Sequence, residues 1–278
     1  LDGERPYLQT TLLPGLVTTL QRNLSRGARD LALFEVGQIV EGAGSRPAPP
    51  VLGVDGRPSD AELAALFAAV PAQPRHVAAV IAGLWERPGW WGPGRSADWA
   101  DAVEMARRVV AIYGVAARPD AADTAPWHPG RCAAIRVGDR VVGHAGELHP
   151  AVIERLGLPG RSVAFELDLD AIDPAGPAVP PVVSTHPPVH LDVALVVPAG
   201  VAASAVTVAL QAGGGPLLES VRLFDVYAGE QLGAGRRSLA FALVVRAPDR
   251  TLTIAEATAV RDAAVAEAAA RTEAELRS

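Results

Sequence analysis

His128, Cys132, His144 and His149 fall within 22 residues, and a thiolate with imidazoles is a zinc-type donor set. Their spacing matches neither a C-x2-C pair nor an H-E-x-x-H unit, and Pro129-Gly130 forbids a regular helix presenting the first two together. The four read instead as a buried strand cysteine and as histidines that cap turns beside Gly130, Gly143 and Pro150. Glu147 lies between His144 and His149, but no serine or cysteine nucleophile has a recognisable elbow beside it, so turn structure is the reading taken. Gly213-Gly214-Gly215 ends a helical pattern instead of opening one, so its amides would not face a phosphate, and it reads as a cap and linker. Trp85, Trp90, Trp91 and Trp99 read as core packing or a subunit interface. In Phe224-Asp225-Val226-Tyr227-Ala228-Gly229, alternation puts Asp225 and Tyr227 on one strand face, an acceptor two residues from a flat ring. That pair is a workable grip on one unstacked base; the bland alternative is an edge strand with a surface tyrosine.

These groups need elements to hold them. Thr11-Leu12-Leu13-Pro14, with apolar residues at helical spacing, predicts a helix over 12–26 closed by Gly27. Alternation predicts a strand over 31–40, the Ser59 to Glu62 capping box a helix to about Ala69, and an apolar run a buried strand over 77–84. Trp99, Val103, Ala106, Val110 and Tyr113 mark a helix over 98–113. Strands follow over 132–137, 140–146 and 163–169, with a helix over 150–156. The helices at 12–26 and 98–113 are expected to present apolar surface.

Six prolines between Ala171 and His190 place a domain boundary near residue 184. Beyond it the order is strand 190–197, helix 201–211, strands 217–227 and 237–246, helix 254–270 behind a Thr253 to Glu256 capping box, and a tail over 274–277 that forms a strand. That is the ferredoxin-like βαββαβ order.

Composition narrows the classes. The 278 residues suggest two domains, and 49% hydrophobic with 20% charged residues is globular usage. All 25 basic residues are arginine against 31 acidic ones, and a net charge of −6 argues against sequence-blind nucleic-acid binding, so RNA would need a local site. The single Cys132 excludes a disulfide framework and suits a reducing compartment. Val193 to Leu218 is uncharged, but Pro198, Gly200 and the glycine run interrupt it, so no membrane span is expected. The chain starts at Leu1 without Met or an apolar signal segment and reads as a piece of something longer.

Thr11-Leu12-Leu13-Pro14-Gly15-Leu16, Asn23, Arg26-Gly27 and Leu33-Phe34-Glu35-Val36-Gly37 resemble the later part of the beta subunit of bacterial phenylalanyl-tRNA synthetase. His128-Pro129-Gly130-Arg131, Gly146-Glu147-Leu148-His149-Pro150 and Phe165-Glu166-Leu167-Asp168 continue that pattern in order. Leu223-Phe224-Asp225-Val226-Tyr227, Ser238-Leu239-Ala240-Phe241 and Arg250-Thr251-Leu252-Thr253 resemble its C-terminal anticodon-binding domain.

The resemblance implies an α+β chain: an inactive class II synthetase-like antiparallel sheet module over 1–184, then a ferredoxin-fold anticodon-binding domain over 185–278. Leu169-Asp170-Ala171-Ile172-Asp173 has no Gly-rich, arginine-bearing motif 3, so the chain alone is expected to bind no cofactor. ATP and magnesium belong to the whole ligase, a heterotetramer of two alpha and two beta subunits in the cytoplasm, whose alpha subunit does the chemistry and whose editing module lies upstream. By the same resemblance the first anticodon base of tRNA(Phe) stacks on Tyr227, with polar contacts from Asp225, Ser238 and the Ala194 backbone. Where the family carries Arg-Asp, this chain has Leu191-Asp192, which leaves Arg222, Arg236, Arg237 and Arg250 as candidate phosphate contacts. The rival readings are a ferredoxin-like small-molecule sensor without RNA and a zinc hydrolase around His128 to His149.

Overall fold

The computed structural model describes residues 7–41, 48–177, 180 and 183–277. The chain divides into two units, Leu1–Ala178 and Val179–Ser278.

The first unit is one antiparallel six-stranded sheet between helices. In chain order its elements are α1 (Leu13–Ser25), β1 (Leu31–Gln38), α2 (Asp60–Ala69), β2 (Arg75–Ala82), β3 (Leu84–Glu86), β4 (Arg95–Ser96), α3 (Trp99–Ile112), β5 (Arg118–Ala121), β6 (Trp127–Val137), β7 (Arg140–Leu148), α4 (Pro150–Leu156) and β8 (Val163–Asp168). The sheet order is β1-β2-β8-β7-β6-β5, with β3 and β4 a separate hairpin. The alternation of β2 explains its unbroken apolar run. Val77, Ala79 and Ile81 join the core under α3, while Ala78, Val80 and Ala82 join the core under α1. A strand covered on both faces has no polar side to show.

The expected capping box at α2 forms, with Ser59 accepting from the Glu62 amide, and α3 has another, with Asp98 accepting from the Asp101 amide. Arg95 clamps Asp101 through two 2.7 Å contacts, which ties β4 to α3 and holds the Asp101 carboxyl below its usual range.

Two expectations about surface are corrected. The apolar residues of α1, Leu13, Leu16, Val17 and Leu20, are all buried, so this helix shows solvent its polar side. Of the two readings of the tryptophans, core packing is overturned: Trp90 is 94% and Trp91 64% exposed, and Trp85 and Trp99 are exposed too. Edge strand β1 adds Phe34 and Val36, also exposed, because α3 packs on β6, β7 and β8 and stops short of it.

The second unit runs β9 (Val189–Pro198), α5 (Ala203–Gly214), β10 (Leu218–Tyr227), β11 (Arg236–Val245), α6 (Ile254–Thr272) and β12 (Glu275–Leu276), in sheet order β10-β11-β9-β12. Ser184 Oγ donates to the Ala247 carbonyl at 3.0 Å, so the chain is already tied to this unit at residue 184. The glycine run is not a linker. Gly213 and Gly214 lie inside α5, and a Cβ on Gly213 would sit 2.7 Å from the Ala263 carbonyl oxygen and 2.9 Å from Ala264 Cα of α6. The missing side chain lets the two helices touch. Among the described residues no helix is long and apolar enough to cross a membrane.

Candidate nucleic-acid interface

Both helices of the second unit cover one face of its sheet. Val193, Leu195, Val197, Leu239, Phe241 and Leu243 point into that core. Their neighbours Ala194, Val196, Ser238, Ala240 and Ala242 must then point to the opposite face, which neither helix covers, because side chains alternate along a strand; Ser238 is nonetheless buried there, at 3% exposure. The register pairs Tyr227 with Ser238 and Ser238 with Val196, and pairs Asp225 with Ala240 and Ala240 with Ala194. Tyr227 and Asp225 therefore stand on the uncovered face at the edge of a shelf of small side chains.

A bulge makes this possible. Leu223 opposes Phe241, yet Asp225 opposes Ala240, so Phe224 is one residue too many for the ladder. Val221 and Leu223 pack into the helix-side core, and uninterrupted alternation would send Asp225 and Tyr227 after them. The extra residue turns both to the other side.

Tyr227 is half-buried, and its hydroxyl end folds back over Gly229, where any Cβ would collide with it. Over the face of its ring lies the guanidinium of Arg277, with Cζ 5.4 Å from the centroid. The Arg277 main-chain amide donates to the Ala194 carbonyl at 2.8 Å, and its Nη1 reaches the Ser238 hydroxyl at 3.5 Å. Asp225 is exposed and has no partner among the described residues. Sequence reasoning named Ala194, Asp225, Tyr227 and Ser238 and missed Arg277, which touches three of them. The strand predicted for the tail was the only signal, since pairing of β12 with β9 at Glu275–Val196 carries residue 277 toward the same face.

The four candidate phosphate contacts divide. Arg222 opposes Ala242 on the uncovered face, exposed and unpaired among the described residues. Arg236 shares that face and pairs with Glu275 at 3.0 Å. Arg237, one residue on, points to the helix side, where its Nη2 donates to the Val201 carbonyl. Arg250 lies beyond the far end of β11 and pairs with Glu256 at 2.9 Å. The structure brings Arg222 and Arg236 to the Tyr227 face, but not Arg237 and Arg250.

The first unit holds a cleft of about 890 Å³ beside α1. In it the Glu166 carboxylate accepts from the Leu12 amide at 3.1 Å, lies 2.8 Å from His76 Nδ1, and takes the Thr11 hydroxyl. Glu41, Asp168 and His144 also line it, and burial lowers the His144 pKa. Carboxylates with no arginine among the described lining residues form a poor seat for a triphosphate. Burial pushes the Cys132 thiol up to about 11, His149 caps α4 by accepting from Ala151, and Glu147 is paired with Arg131 at 2.9 Å. Among the described residues no three His, Cys, Asp or Glu side chains gather as a metal set.

Residues 1–169 match the phenylalanyl tRNA synthetase beta chain CLM domain, and residues 184–277 match the ferredoxin-fold anticodon binding domain. The chain is 54% identical over 284 residues to a phenylalanine–tRNA ligase beta subunit from Streptomyces avermitilis, with all of this chain and 34% of that protein covered. Its counterparts from Thermobifida fusca, at 54%, and Mycolicibacterium paratuberculosis, at 53%, are covered to the same 34%. The chain thus spans about a third of the length of these relatives. Two family matches in sequence order, on an antiparallel α/β module and a βαββαβ unit, give one conclusion: this chain belongs to the phenylalanyl-tRNA synthetase beta-chain family.

Proposed function

We propose that this chain is the structural core and anticodon reader of a phenylalanine–tRNA ligase beta subunit, with the two roles divided near residue 184. The observation that carries the reading is the uncovered sheet face, on which a bulge sets Tyr227 and Asp225 beside Ser238. A flat ring offers a stacking platform for an unstacked base, Asp225 offers a hydrogen bond to its edge, as does Ser238 once Arg277 moves off it, and Arg222 and Arg236 offer charge to the flanking phosphates. The second lone pair of the Ala194 carbonyl, whose first is taken by Arg277, remains for a base donor.

The acidic cleft of the first unit supports a non-catalytic role there. ATP and magnesium are used elsewhere in the whole ligase, and phenylalanine activation falls to the alpha subunit. Phe34, Val36, Trp85 and Trp99 supply apolar surface that such a partner would cover, in an assembly of two alpha and two beta chains in the cytoplasm. The family membership of residues 184–277 favours this reading over a small-molecule sensor.

Titration of the chain with a phenylalanine-accepting anticodon stem-loop, and with one carrying a changed first anticodon base, tests it. Tighter binding of the first is expected; equal binding of both would refute base reading by this face.

A further inference from the structure

We infer that Arg277 is the second wall of the base site, so that the bound base lies between the Tyr227 ring and the Arg277 guanidinium. The inference rests on the anticodon reading proposed above and adds a residue to it. Three observations converge on Arg277. Its guanidinium lies over the face of the Tyr227 ring, its Nη1 reaches the Ser238 hydroxyl, and its main-chain amide is fixed to the Ala194 carbonyl. The backbone anchor holds the root of the side chain in place while the exposed guanidinium keeps its rotamer freedom.

Separations support insertion. Stacked planes lie about 3.5 Å apart, so a base between two planes needs about 7 Å from ring to guanidinium. The present 5.4 Å from Cζ to the ring centroid is shorter than that, so the guanidinium must lift or slide outward before a base enters. The guanidinium can make this lift because no carboxylate among the described residues pairs with it: Glu275 on the same strand is already paired with Arg236. A planar cation also prefers an aromatic face, whether that face is the phenol ring or the base that replaces it. In the free protein Arg277 shields the ring from water, and in the complex the same group covers the base.

The test is stem-loop affinity of the 278-residue chain and of its Arg277→Ala, Arg277→Lys and Tyr227→Ala variants, each measured across a salt series. Arg277 is exposed near the end of the described residues, and a thermal melt checks that the variants stay folded. A base sandwich predicts a loss of about 5- to 30-fold for Arg277→Ala and nearly as much for Arg277→Lys, with little change in salt slope. It also predicts that Arg277→Ala costs less once Tyr227 is alanine, because the two walls hold one base. Rescue by lysine with a flatter salt slope for alanine would make Arg277 a phosphate contact and overturn the sandwich. Unchanged or tighter binding by Arg277→Ala would make it a plug and overturn it equally. If Tyr227→Ala itself binds normally, the anticodon reading of this face fails; if Tyr227→Ala is weakened and Arg277→Ala is not, only the sandwich fails.

Discussion

Asp225, Tyr227 and Ser238 sit within one register step of each other, yet the three side chains are asked to do different things. Stacking holds any base, so Tyr227→Ala should weaken stem-loop binding by about 1–3 kcal/mol whichever base comes first, while Tyr227→Phe should cost much less. Hydrogen bonds to a base edge discriminate, so Asp225→Asn and Ser238→Ala should instead narrow the gap between the cognate and the altered stem-loop. Arg222→Ala should weaken both stem-loops alike and reduce the salt slope by about 0.7 per lost single-strand phosphate contact. Fluorescence titrations at several salt concentrations separate the three outcomes. At this scale the sequence was legible where alternation and motif coincided, as at Asp225 and Tyr227. It was silent on Arg277, because a contact between a chain tail and a strand about 50 residues earlier is made by sheet order, which no local pattern encodes.

Helices were read best, since their signals are local. Ser59 and Thr253 form the reciprocal caps that their spacing implies, and Asp98 forms a third that the sequence reading did not name. The strands missed were β3, β4 and β5, of two to four residues each, which are too short for alternation to register and exist only because a neighbour pairs with them. Gly213 was read as punctuation when it is a packing residue, because composition cannot show that α6 passes against it. The difference is measurable. Alanine is the better helix former by about 1 kcal/mol, which alone would make Gly213→Ala stabilising. Its Cβ would meet the Ala263 carbonyl and Ala264 Cα of α6, and overpacking of this kind costs about 1–3 kcal/mol. The backbone of a packed helix yields less easily than a side chain tip, so the clash should win and Gly213→Ala should melt at a lower temperature than the parent chain.

The proposed function assigns holding to one unit and reading to the other. Its first unit has a sheet covered on both faces, an acidic cleft and an apolar edge, and its second has a sheet covered on one face only. Phenylalanine-dependent exchange of pyrophosphate into ATP by this chain alone should stay at the protein-free background. Phe34→Glu should leave its melting temperature nearly unchanged, because the side chain is 75% exposed, but should weaken association with an alpha subunit measured by sedimentation. The proline-rich stretch before residue 190 points to a boundary near 184, and the contact division falls between residues 178 and 179. The distribution of exposed tryptophan was not legible: amphipathic spacing marks an apolar stripe but not whether its cover is the same chain.

The bulge at Phe224 lets β10 carry one residue that its partner strand does not count. Leu223 opposite Phe241 and Asp225 opposite Ala240 are already neighbours as the ladder sees them, so removing the residue between them would leave both pairings in place and restore regular alternation. Asp225 and Tyr227 would stay on the shelf, and only the extra local twist of the bulge would go. Phe224 itself is 48% exposed, so Phe224→Thr should be carried with little loss of fold or RNA affinity, and deletion of Phe224 should likewise leave stem-loop binding measurable in the same titration. At this position the ladder tolerates a spare residue because the register on either side of it is fixed by the partner strand.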